Sequence, residues 1–224
     1  MATTVTAART PSAETPSFLT RATTWANAHR QATAYAAIGL VVAAGLFWWN
    51  LLSTRRSETV ARDQLLEARA AFESKNYALA ASELSRITEN YSGTRAAQEG
   101  TLLLGQVRLL QGQAQQAIAV LRDFAPAAQK DYRAQAYGLL AAAYENISRP
   151  KEAGEAYQAA VDAAGMDFLR AQFLSDAGRA YLAAGDTAKA IQAYRRIVKD
   201  LYKTGPVQEA RVRLGELTKG AALP

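Results

Sequence analysis

The apolar and polar positions of this 224-residue chain change rhythm twice. From Gln31 to Thr54 no charged side chain occurs, and Ala32 to Leu52 is a run of 21 residues with no polar face. As a helix rising ~1.5 Å per residue it is about 30 Å long, close to the hydrocarbon thickness of a bilayer. Tyr35 near one end and Trp48-Trp49 near the other suit the two interfaces, where amphipathic rings settle. A soluble helix would keep a polar face, and a cleavable signal would start nearer the amino end with a small-residue cleavage site. The pattern predicts a retained transmembrane helix over residues 32–54. Within it Ala32, Ala36, Gly39 and Ala43 form one small-residue stripe on which a partner helix could pack. The preceding residues, 1–31, are rich in Thr, Ala, Ser and Pro and predict a disordered polar tail.

Past the run, the pattern becomes a long-period repeat. One small residue recurs as Ala68, Gly105, Ala141 and Gly178, and a second as Ala80, Ala117, Ala153 and Ala190; both series step by 37, 36 and 37. Four residues beyond the second marker stand Leu84, Leu121, Tyr157 and Tyr194, followed by Ile87, Phe124, Ala160 and Ile197. Between the markers lie the turn-forming stretches "SKN", "QGQ", "SRP" and "AGD". Each unit reads as a helix, a turn and a second helix. Small residues are expected where the helices of a pair touch, and large ones where a hairpin meets its neighbour. Residues 206–219, opening on Pro206 at a first helical position, read as a capping helix. The fold expected is all-α: the membrane helix, then a helical-hairpin superhelix of about four repeats plus the cap over residues 57–219.

Composition sharpens what the surface can do. Alanine leads the apolar half of the chain, which favours helix over sheet. There is no Cys, which removes disulfides, zinc–thiolate sites, thiol nucleophiles and an acylated anchor. The single histidine, His29, stands beside the apolar run and reads as an interfacial residue. With no second His and no Cys, neither a Ser-His-Asp triad nor a Cys-His pair can be assembled. No phosphate-binding glycine loop or H-E-x-x-H motif occurs. No catalytic residue, cofactor or metal is therefore expected. The net charge of +6 comes from 26 basic residues interleaved with 20 acidic ones, so no nucleic-acid partner is expected. What remains is a face of first helices, on which the repeat phase places Leu65, Arg69, Leu102, Gln106, Leu109, Gln172 and Arg179 as candidate groove contacts.

The repeated segments resemble tetratricopeptide repeats, with a W-x2-L-G-x2-Y first helix and an A-x3-F second helix. The last two copies carry it best, through Leu140, Ala141, Tyr144, Ala153 and Tyr157, then Gly178, Tyr181, Ala190 and Tyr194. The layout, the "FWWN" exit from the run and "SKNYALAASEL" soon after it are similar to the single-pass tetratricopeptide family that accompanies the bacterial Sec translocon. That resemblance implies a bacterial inner-membrane protein with a cytoplasmic tail and periplasmic repeats. Its implied partners are an integral-membrane complex, the lipid bilayer, and chaperones or unfolded client chains. Arginine counts alone leave the topology open. A structural accessory subunit of another integral-membrane complex, respiratory or photosynthetic, is the alternative reading.

Overall fold

Alanine-rich segments bounded by regularly spaced turns fold into helices throughout a computed structural model of the chain, which describes Trp25 and residues 29–220. Among the described residues these are α1 (Arg30–Glu73), α2 (Tyr77–Asn90), α3 (Arg95–Leu110), α4 (Ala114–Ala127), α5 (Lys130–Asn146), α6 (Pro150–Ala163), α7 (Asp167–Ala183), α8 (Thr187–Asp200) and α9 (Val207–Thr218), with no strand. Most of the tail expected at 1–31 lies outside the described residues. The chain forms two compact units, Met1–Ser53 and Thr54–Pro224. The break expected between residues 54 and 57 falls within the range of α1, as does the division between the two units.

In the first unit, the apolar window of α1 is long and apolar enough to cross a membrane, and none of it is buried. Leu40, Val41 and Trp49 are 72%, 72% and 76% exposed. Among the described residues of this unit nothing covers this surface, whereas a soluble protein's core helix is mostly buried.

In the second unit, the carboxyl-terminal part of α1 and α2, then α3–α4, α5–α6 and α7–α8, are the four hairpins, and α9 follows as the cap. One turn design serves all four. Lys75, Gly112, Ser148 and Gly185 adopt the left-handed conformation, with φ of 60°, 70°, 55° and 78°. The next residue donates its N–H to a carbonyl of the preceding helix's last turn: Asn76 to Ala71, Gln113 to Arg108, Arg149 to Tyr144 and Asp186 to Tyr181, at 2.8–2.9 Å. This closes the first helix in the Schellman manner. The same residue opens the next helix, and the Asn76 and Asp186 side chains accept from the backbone N–H of Leu79 and Lys189.

The small markers lie where the helices touch: Ala68, Ala80, Ala117, Ala141, Ala153 and Ala190 are fully buried. At Gly105 and Gly178 even a methyl group would not fit. A Cβ there would stand 2.8 Å from Leu121 and 2.6 Å from Tyr194, each on the partner helix of the same hairpin. Leu121 and Tyr194 thus pack inside their own hairpins, and the last two hairpins also meet through Phe173 over Gly138 and Tyr181 over Gly154. Leu84 does reach forward, lying with Ile87 and Leu65 beside Gly100 of the next hairpin. Cap residues Val207, Ala210 and Leu214 are buried, with Pro206 at the N-cap rather than the first helical position.

Two stability predictions follow from this packing. Gly178→Ala forces the fully buried Tyr194 ring to move and should destabilise by about 1–3 kcal/mol. Gly100→Ala meets only ordinary contacts at 3.7 Å and should be neutral or stabilising. Thermal melts of the two variants check the contrast. The second concerns alkaline pH. Burial, then the Glu145 carboxylate that accepts its hydroxyl hydrogen bond at 2.8 Å, raises the Tyr157 phenol above its ordinary range. Burial raises Tyr181 and Tyr194 as well. Folded phenols that hold their protons longer than unfolded ones contribute stability below about pH 10 and lose it as pH rises through the folded values. The melting temperature should fall from about pH 10 upward, and less steeply in Tyr157→Phe.

Candidate protein-binding groove

Successive first helices α1, α3, α5 and α7 stack side by side, and their outer faces form one surface. Position on that surface follows from the 3.6-residue period. Residues one after the small marker, or six before it, lie seven apart and share a face. Residues three before and four after share the marker's own face, which turns inward.

A concavity of about 330 Å³ lies on this surface across the first three hairpins. Helix α1 contributes Arg69, Phe72 and Glu73; α3 contributes Glu99, Leu102, Leu103 and Gln106; α5 contributes Tyr132 and Gln135. Leu102 is buried, while Leu103, Phe72 and Tyr132 are half-buried, giving an apolar floor. Arg69 forms an ion pair with Glu99 across the two helices. Beside Tyr132, the hydroxyl of that residue and then Asp131 raise the pKa of the Arg95 guanidinium. An apolar floor with a polar rim of both signs suits a polypeptide segment, which offers apolar side chains and backbone amides together.

The candidates read from the repeat phase divide by face. Arg69, Leu102 and Gln106 line the concavity. Leu65 and Leu102 both stand three before their markers and are 3% and 4% exposed; Leu102 reaches the concavity as part of its floor, whereas Leu65 packs in the core beside Gly100 and does not line it. Leu109, four after its marker, is half-buried against the core, on the inward face. Gln172 and Arg179 are exposed on α7 outside this concavity. Both donate to Asp176, Arg179 at 2.7 Å, and that carboxylate is the main cause of the raised pKa of Arg179. Glu99 and Gln135 line the concavity too, and they stand six before their markers, as Gln172 does. Repeat phase applied evenly would have found them. Tyr132 has no such signal, and Phe72, four after Ala68, shares the phase of Leu109 yet reaches the concavity.

On the uncovered part of α1, Ala32, Gly39 and Ala43 are exposed, and the Ala36 side chain lies outside the described residues. Among the described residues no group of acidic or His side chains could hold a metal ion.

Residues 52–175 match the model of a tetratricopeptide repeat-like domain, and residues 174–202 match a tetratricopeptide repeat. Proteins built from these repeats are typically interaction scaffolds. No curated protein matches the chain in sequence. Among solved structures, the TPR-like repeats of a proposed kinesin light chain from Podosopora anserina align with a TM-score of 0.57 at 18% identity, covering 73% of this chain and 87% of that one. The MamA protein aligns with a TM-score of 0.55 at 20% identity, covering 73% and 82%. A tetratricopeptide repeat protein from Parabacteroides merdae gives 0.57 at 14%, covering 71% and 60%. At these identities the likeness is one of fold. With its hairpins, markers and turns in place and more than half its length matched, the chain belongs to the tetratricopeptide repeat-like family.

Proposed function

We propose that this chain is a non-catalytic protein–protein interaction module held at a membrane by the apolar part of α1. The observation that carries the reading is the groove on the first-helix face, with an apolar floor under a charged rim, in a repeat domain without recognisable catalytic machinery. The membrane part rests on the bare apolar window of the first unit. The layout it shares with the Sec-associated family supports a finer reading. It is an accessory subunit of the translocon at the bacterial inner membrane, with repeats in the periplasm that take chaperones or emerging client chains.

A second reading has its own support. The exposed small positions Ala32, Gly39 and Ala43 of the bare helix would let a partner helix approach closely. Such contacts fit a structural subunit of another integral-membrane assembly, respiratory or photosynthetic, in which the repeat surface makes permanent contacts.

The groove is tested by a photo-crosslinking amino acid placed at Gln106 in the full chain, with Arg122 on α4 as the control position. Polypeptide adducts should form from Gln106, and Tyr132→Ala should reduce them about tenfold if the ring is an anchor. Equal adducts from both positions, or none from Gln106, would contradict a groove function.

A further inference from the structure

Charge is distributed unevenly along the repeat domain. Glu58 to Asp186 contains thirteen Lys and Arg against sixteen Asp and Glu; Thr187 to Lys219 contains eight against three. Ion pairing sharpens the contrast. Eight of those thirteen cations are paired with a carboxylate, from Arg62 with Glu58 through to Arg179 with Asp176. Of the eight near the carboxyl end, only Lys189 and Arg213 are paired. Arg195, Arg196 and Lys199 are exposed on α8 and form no ion pair; Arg196 reaches only the Gln158 amide oxygen, at 3.4 Å. These three line a shallow concavity of about 320 Å³ with Gln192 and Asp200. Just past the helix, Lys203 extends the stripe, its ammonium over the exposed Tyr202 ring at 5.5 Å.

We propose that this face of α8 is a second docking surface, separate from the groove, and that it takes an acidic segment of a protein partner. The inference rests on the reading of the chain as an interaction module and names the chemistry of one partner. Guanidinium groups present paired N–H donors that match carboxylates two at a time, and Lys199 and Lys203 add point charges beside them. A concave strip along a helix fits a chain of side-chain carboxylates better than the flat array of a lipid surface. Of the apolar residues of this stretch, Ile197, Val198 and Leu201 are buried, which leaves only the Tyr202 ring to meet a bilayer. A phosphate backbone is disfavoured because residues 57–219 as a whole carry twenty-one cations against nineteen anions. The net-negative hairpins before α8 repel the same acidic segment, so the field orients it toward the carboxyl-terminal end.

The test is fluorescence anisotropy of a labelled octaglutamate peptide titrated with the full chain in a nonionic detergent. Binding should weaken about tenfold or more between about 50 and 300 mM salt, where the Debye length shortens. Arg195→Gln/Arg196→Gln/Lys199→Gln should weaken it about tenfold at low salt with the helical circular dichroism unchanged. Arg62→Gln/Arg86→Gln/Arg122→Gln, which removes as many charges elsewhere, should not. Equal losses in both triple variants, or no binding, would overturn the proposal. So would binding of short-chain phosphatidylglycerol at these three residues without binding of the peptide. Tyr132→Ala should leave peptide binding unchanged, so failure of the groove and failure of this surface are read separately.

Discussion

Close approach of helices at small residues is the constraint on which the repeat domain depends. Gly178 lets the Tyr194 ring lie where a methyl group would stand, and Gly105 does the same for Leu121. Once two helices are that close, the turn joining them has little freedom. A single left-handed residue recurs at positions 75, 112, 148 and 185, with the same backbone bonds around it. The fixed turn then sets the angle at which each hairpin offers its outer side to the next. Phe173 and Tyr181 occupy the space left by Gly138 and Gly154, and the first helices come to lie side by side. The groove is a consequence of this stacking, since its three lining helices never belong to one hairpin.

Much of this was legible in the residues because repetition turns a single ambiguous alanine into a column of four. The markers, the turns and the cap all came from that register. Gly138 and Gly154 did not, because each occurs once and belongs to no column; only the rings packed on them reveal their role. Groove membership was half legible. Arg69 and Gln106 follow from the period, whereas Leu65 was placed on the surface although its phase turns it inward against the space beside Gly100. The tail and the side chain of Ala36 lie outside the described residues.

Charge shows a different limit of linear reading. Across the whole chain basic and acidic residues interleave, and the average looks unremarkable. The folded domain separates cations that are neutralised by neighbours one turn away, such as Arg86 by Glu83 and Arg149 by Glu152, from those of α8 that are not. Helix geometry decides much of this, because residues three or four apart meet on one face, while Arg69 and Arg95 find Glu99 and Asp131 on a neighbouring helix. The result is a domain with two surfaces of different chemistry. One is an apolar-floored groove among the first helices, and the other is a bare cationic strip on the last hairpin's second helix.

The account stands most directly on what the intact protein carries with it. Purification of the full native chain in mild detergent, followed by mass spectrometry of the co-purifying proteins, measures this. The account predicts integral-membrane subunits together with soluble polypeptides, the latter depleted when the groove is altered by Tyr132→Ala. A chain recovered without any partner, or from a soluble fraction that never required detergent, would contradict it.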